Sequence, residues 1–387
     1  TINIDVINAL TLKQDCMKRT RQLMVTFLMM GYLSVSAQLD EVGKILTGGT
    51  ADANKLVTAY LEPWGKGFAY GLSNGWYNTA NTHGILGFDV TLTTSMASVP
   101  TADKTYDLST LGLTTLTYGT PSTGPTIAGK KNDGPELTYT QKVTLPDNSQ
   151  QDASVKFKMP KGINVPIVPT FALQASIGLP KGTEILGRYM PTIKIGDYGK
   201  LGMWGIGIKH DLKQWIPVVN KTPFWSMSLL IAYSSFKTSA SGEFLTPDPN
   251  QFYTSGLNMD VYKNQKVELT ASALNTSLLL STNIPIFNVY VGLGLVSPSS
   301  KLKITGSFPV PDTPKTVDVQ NSVDNNEPIK MGVKNIIDPI DATLASKAAF
   351  KATVGFRLKL ALLTIHGDYS TMDKYNLYSA GIGISFR

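Results

Sequence analysis

Cysteine is all but missing from this 387-residue chain. The single one, Cys16, lies upstream of the first plausible start, Met17. The chain beyond Met17 therefore has no disulfide framework, which suits an oxidising compartment reached without disulfides, and no cysteine on which a lipid could be carried. Histidine is equally scarce. His83, His210 and His366 are far apart and show no ligand spacing, so neither a metal site nor any other cofactor is expected. No dense Lys/Arg cluster with interleaved aromatics occurs, which argues against nucleic acid as a partner. Beyond residue 37 no run of 18 apolar residues is found, so a helical membrane span is excluded. There is no Gly-x-Ser-x-Gly turn either. His366 and Asp368 share one strand face, but without that turn they read as strand surface or lumen lining, and no enzyme is expected. The glycines at 202, 205, 207, 292 and 294 sit inside strand-like runs with no helix following. They cannot cradle a phosphate, and suit instead a close approach of another segment to a strand wall.

What is present begins with an address. In residues 17–37, MKRTRQLMVTFLMMGYLSVSA, Lys18, Arg19 and Arg21 precede the short apolar run Leu23 to Leu33, and Val35-Ser36-Ala37 offers small residues for cleavage. That is the order of a secretory signal peptide, too short to span a bilayer. Residues 1–16 read as an upstream non-native extension, and export with cleavage after Ala37 is expected. The net charge is +7 over the whole chain. Past residue 37, thirty-one Lys and Arg stand against twenty-six Asp and Glu, a mild +5.

Residues 38–83 form a separate segment. Val42, Ile45 and Leu46 suggest a first short helix stopped at Gly48-Gly49. Asp52 can cap a second, with Leu56, Val57, Tyr60 and Leu61 on one face and an end near Pro63. Glycines and aromatics follow, and the segment is compact and polar enough to be a cap or a plug.

From residue 84 the period changes to two. Leu86, Phe88, Val90, Leu92 and Met96 alternate with Asp89, Thr91, Thr93 and Ser95. Comparable runs recur at about 169–179, 183–195, 200–210, 224–237, 266–283, 286–297, 347–358, 359–370 and 376–387, each with one apolar and one wet face. Many exceed the usual strand length of about 5–6 residues and match the roughly 9–11 that a tilted membrane strand needs. The connections alternate too. All three loops longer than twenty residues, 98–168, 238–265 and 298–346, fall on the same side, as in barrels whose outer loops are long. Weak alternation inside the first and last of these leaves room for extra hairpins.

A long sheet with one apolar face must bury it in a second sheet or turn it toward lipid. A secreted β-sandwich stays open as an alternative. Strand length favours lipid, and so does the strand Gly-Ile-Ser-Phe-Arg that runs to the C-terminus. So do aromatics near strand ends: Tyr198, Trp215, Trp225, Tyr233, Tyr290, Tyr369, Tyr375, Tyr378 and Phe386 suit interfacial girdles. The expected fold is all-β: an antiparallel, up-and-down transmembrane β-barrel over 84–387, with ten strands at least and 12–14 open, and an N-terminal, partly helical plug at 38–83.

The segments DANKLVTAYLEPWGKGFAYGLSNGWYNTA, GFDVTL, GTEILGRYMPTIKIG and GIGIKHDLKQWIPVV resemble an uncharacterised family of outer-membrane proteins of Bacteroidota type, across the whole of 38–387. The resemblance implies a bacterial outer-membrane location and no assigned activity. In architecture that family is similar to the long-chain fatty-acid transporter barrels, in which an N-terminal plug sits in 14 strands. With the apolar faces toward lipid, Asp89, Glu184, Arg188, Lys351 and Arg357 point into the lumen, where they can hold the plug through ion pairs and hydrogen bonds or line a path for a solute. The expected function is a monomeric barrel, in contact with outer-membrane lipid, that binds or passes a small solute, hydrophobic ones included. The alternative is an interaction protein whose long outer loops meet a surface or secretion-machinery partner.

Overall fold

The computed structural model describes residues 45–48, 50–145, 147–195, 199–216 and 222–386. The upstream extension, the signal segment, the first residues of the plug and Tyr198 lie outside them. In chain order a helix, α1 (Thr50–Ser73), precedes strand β1 (Phe88–Ser98). Five short strands follow: β2 (Thr105–Asp107), β3 (Leu116–Tyr118), β4 (Thr123–Pro125), β5 (Glu136–Thr144) and β6 (Gln150–Lys158). Then come β7 (Ile167–Leu179), β8 (Thr183–Ile195), β9 (Gly199–Asp211), β10 (Trp225–Gly242), β11 (Gln265–Thr282) and β12 (Phe287–Thr305). Next are β13 (Ser307–Asp312), helix α2 (Thr316–Asp324), β14 (Gly332–Ile337) and β15 (Ile340–Ala345). The last three strands are β16 (Ala349–Leu360), β17 (Leu363–Met372) and β18 (Tyr375–Phe386).

Ten of these strands make a closed antiparallel barrel. β1 pairs with both β7 and β18, β7 to β12 follow in order, β12 pairs with β16, and β16 to β18 complete the ring. Ten is thus the strand number, and the likeness to 14-stranded transporters does not extend to it. Alternation explains the closure. In β12, Phe287, Val289, Val291, Leu293 and Leu295 are exposed outward, while Asn288, Tyr290 and Val296 are buried inward. A band of exposed Ile, Leu, Val and Phe circles the barrel, from Ile206 and Ile208 in β9 to Ile382 and Ile384 in β18. An apolar surface of that extent suits hydrocarbon rather than water. From Phe386 to Tyr378 is eight residues, about 26 Å along the strand and about 20 Å in height after a tilt of about 40°. No helix among the described residues is long and apolar enough to cross a membrane; the strands do so.

The loops depart from their sequence boundaries because the wall continues past the apolar band. β10 runs to Gly242, β11 starts at Gln265 and β12 runs to Thr305, so the connections after 238 and 298 begin as barrel wall. The 98–168 connection folds into small sheets, β2 with β4 and β3-β5-β6. With β13–β14, these form a cap over one mouth. Its core joins Leu108, Leu116, Leu137, Phe157, Phe308 and Leu344 to Leu56, Val57 and Tyr60 of α1.

Helix α1 enters the barrel from that cap. It does not end near Pro63 but continues ten residues further, with Pro63 inside it. An interior proline costs about 3 kcal/mol. Burial of Ala69, Tyr70 and Leu72 beyond it offsets that cost. The helix fits because glycines face the wall: a Cβ at Gly65, Gly67 or Gly71 would come within 2.5, 2.6 and 2.8 Å of Leu344, Val168 and Thr170. From Asn74 to His83 the chain descends the lumen in irregular form, and it enters β1 at the opposite mouth.

Candidate functional site

The candidate site is the lumen around residues 72–83. The end of α1 leaves carbonyl groups that no later helical amide can reach, at the negative end of the helix dipole. The helix has no basic residue in its own last turn. The wall supplies two. Arg188 Nη1 donates to the carbonyls of Leu72 and Asn74 at 3.3 and 3.0 Å. Lys351 Nζ donates to the carbonyl of Ser73 at 2.8 Å. Ser234 and Asn275 add donors to the Leu72 and Ser73 carbonyls at 3.1 Å each. Arg188 is held for this by Gln174, whose Oε1 accepts from its Nε at 2.9 Å, and by the ring of Trp76 at 4.0 Å from its guanidinium carbon.

Asn74 turns the chain. Its amide donates to Ser379 at 2.6 Å and to Asp368 at 3.3 Å, and accepts from Ser370 at 3.0 Å. Tyr290 donates to the other oxygen of Asp368 at 3.2 Å. Below lies a layer of large rings. Trp76 is fully buried and packs on β9, where a Cβ at Gly205 or Gly207 would come within 3.1 Å of its ring. Tyr77 lies edge-on to Tyr290 at 5.9 Å and against Gly292. Of the glycines that could not cradle a phosphate, Gly205, Gly207 and Gly292 thus make room for the plug, while Gly202 and Gly294 face wall residues Thr192 and Ser277. The space left between Gly71–Asn74 and Thr93, Ser95, Thr170 and Arg188 is ≈ 10 Å³, room for about one water.

At the far mouth Thr79 and Ala80 meet Ser281 at 3.2 and 3.0 Å. The His83 backbone donates to Glu184 at 3.1 Å, and Lys209 pairs with the same oxygen at 3.1 Å. The His83 ring lies between Glu184 (3.2 Å) and Ser385 (3.2 Å). This hydroxyl–imidazole–carboxylate line has the order of a hydrolytic triad. Yet Ser385 is 1% exposed on a flat strand, and Lys209 shares the carboxylate. The line ties the plug to the wall.

Of the five lumen residues read from the sequence, Arg188, Lys351 and Glu184 touch the plug directly. Asp89 is buried in the lumen wall and accepts from Ser176 at 2.9 Å. Arg357 lies inward beside His366, its cross-strand neighbour. Asn74, Gln174, Lys209, Asn275, Ser281 and Asp368 complete the site. The inward parity of the wall residues is visible in the strand runs, but nothing in the sequence pairs them with particular plug atoms. Among the described residues no group of three or more His, Cys, Asp or Glu is placed to hold a metal.

Two of the aromatics need correction by parity. Tyr290 is 1% exposed and points into the lumen, because its neighbours Val289 and Val291 take the outward positions. Tyr375 is likewise buried, donating to the Pro63 carbonyl at 3.1 Å. Trp215, Tyr378 and Phe386 are exposed, and Trp225 is half-buried under Lys213. Phe386 with Phe88, and Phe287 with Phe356, mark one edge of the apolar band; Tyr369 with Tyr378, and Trp204 with Tyr233, mark the other.

A family model described as "Family of unknown function (DUF6588)" matches residues 17–386. The chain belongs to DUF6588. No curated protein matches this DUF6588 chain. Solved structures similar to it include Ail, the attachment invasion locus protein of Yersinia pestis, in complex with the heparin analogue sucrose octasulfate (6% identity, 78% of this chain and 99% of that one, TM-score 0.24). They also include the translocator domain of the autotransporter NalP from Neisseria meningitidis (10%, 79% and 90%, 0.25) and a deltaS2 mutant of the TodX monoaromatic hydrocarbon channel (9%, 79% and 91%, 0.24). Scores this low decide nothing about the DUF6588 chain, whose barrel stands on its own closed ring of pairings.

Proposed function

We propose that this chain is an outer-membrane barrel closed by its own N-terminal segment, and that it passes or binds a small solute when residues 74–83 leave the lumen. The observation that carries the proposal is the capture of the α1 carbonyl end by Arg188 and Lys351. The upper helix is fixed by apolar packing with the cap, whereas residues 74–83 combine one apolar layer, Trp76 and Tyr77 among Leu186, Leu230, Leu279 and Tyr290, with hydrogen bonds and ion pairs that water can replace. With that single layer as its apolar anchor, the segment opens at lower free-energy cost than the more extensive cap core. The wall around 72–74 and around 79–83 is polar, which favours a hydrophilic solute over a hydrophobic one. No catalysis is part of the proposal.

Conductance of the 38–387 chain in planar bilayers tests it. A chain lacking 38–83 is expected to conduct more than the intact one. Asn74→Cys with Ser379→Cys, in a chain with no other cysteine past residue 37, staples the plug to the wall and is expected to abolish openings until reduced. Equal conductance of all forms would end the gating idea.

A second reading has its own observation. The outer connections fold into a cap with its own core, including Val143, Val155, Phe252, Val319 and Met331. A sealed barrel carrying such a cap suits an anchor for a surface or secretion partner. Replacing 98–168 by a short turn separates the two: partner binding is lost in the second reading, while solute passage is retained in the first.

A further inference from the structure

The outward strand positions toward the outer rim are basic on one side of the barrel only, although Lys347 and Lys374 stand in the connections of the other side. Strand pairing brings the outward side chains into rows. Tyr189, Trp204 and Ser235 lie side by side, with Tyr233 against Trp204 at 5.5 Å, and mark the outer edge of the apolar band. The next row outward is Gly202, Lys237, Thr270 and Lys301. The one after it is Lys194, Lys200, Ser239, Glu268, Lys303 and Asp341. These rows stand about 7 and 13 Å along the strand from the aromatic row, less in height after tilt, which sets them in and just beyond a headgroup layer about 5–7 Å deep.

Lys237 and Lys266 share Glu268 at 2.8 and 2.7 Å, and Lys303 pairs with Asp341 at 3.3 Å. Among the described residues, Lys194, Lys200 and Lys301 have no carboxylate within ion-pair distance; Asp197, in the turn between the first two, lies outside them. Lys194 and Lys200 are exposed and stand directly opposite each other across β8 and β9. Two like charges so placed destabilise a strand pair unless an anion sits between them. The outward positions of β16, β17, β18, β1 and β7 hold no Lys or Arg at all.

We propose that this face, from β8 to β12, binds the phosphate groups of the phosphorylated glycolipid of the outer leaflet, with Lys194, Lys200 and Lys301 as the principal contacts. The rows have the charge and height such phosphates need, and the rings of Tyr189 and Trp204 lie beneath them at the acyl–sugar boundary. The proposal rests on reading the chain as an outer-membrane barrel. That reading is checked separately by the barrel's resistance to detergent before boiling, which the substitutions below are expected to leave intact.

The test measures lipid retained by the purified 38–387 chain, by native mass spectrometry, after exposure to bisphosphorylated lipid A or to the same lipid with its phosphates removed. A lysine near an anionic surface is worth about fivefold in affinity, so the triple variant Lys194→Gln, Lys200→Gln, Lys301→Gln should lose about a hundredfold. Removal of the phosphates should cost the native chain a comparable factor. The control triple variant Lys130→Gln, Lys131→Gln, Lys142→Gln, which removes the same charge from the cap, should retain lipid A as the native chain does. Undiminished retention by the rim variant, equal retention of the dephosphorylated lipid, or an equal loss in the control would each overturn the proposal.

Discussion

Arg188 and Lys351 show how single residues close the lumen. Each places a buried cation where a helix end offers carbonyl oxygen, so the desolvation of the charge is offset by charge-assisted hydrogen bonds rather than by a carboxylate alone. Lys351→Met keeps most of the stem volume but removes the donor to Ser73. The expected cost is about 1–3 kcal/mol. It should appear as faster amide exchange across 72–83 and more frequent channel openings. Asp52, at the other end of α1, accepts from the backbone amides of Thr114, Thr115 and Leu116 and from both threonine hydroxyls. Burial pushes its carboxyl up, but these donors outweigh burial and hold it below the usual carboxylate range. Its contribution is therefore complete above about pH 4 and is lost as pH falls through the lower folded-state value. Acidification should deprotect Thr114–Leu116 in the native chain, whereas Asp52→Asn should show the same segment already exchanging faster at pH 7, with little further change.

At the scale of elements, α1 and the strand walls fit each other through glycine. Gly67→Leu would drive a side chain into Val168, and Gly207→Leu would displace the Trp76 ring. The first should destabilise the cap and helix together. The second should loosen only 74–83, so conductance should rise more for Gly207→Leu than the fall in unfolding temperature would suggest. The strands were legible in the sequence because a period of two survives in every wall segment, and inward Glu184, Arg188 and Lys351 followed from parity. Parity also accounts for Tyr290, which proximity to a strand end alone had placed at the interface. The helix end at Pro63 was misread because local propensity disfavours what enclosure in a barrel permits. The partners of Arg188 and Lys351 were not legible, since they are backbone carbonyls 72–74, which no side-chain pattern reveals.

For the molecule as a whole, ten strands enclose one helix and ten irregular residues whose side chains are mostly buried. The cap core, the packing around the lower half of the helix and the ring layer of Trp76, Tyr77 and Tyr290 are three separate apolar clusters along α1 and the segment that follows it. The closed ring was foreseeable from strand length and from the long loops falling on one side. The cap was only hinted at, because its short strands alternate weakly and depend on packing against α1. The central claim, a closed barrel with its apolar face toward lipid, is tested most directly by gel mobility of the purified 38–387 chain folded into detergent, boiled against unboiled. The account predicts a compact, faster band before boiling and a slower one after. One mobility under both conditions, from a chain that folds to a soluble monomer without detergent, would contradict it.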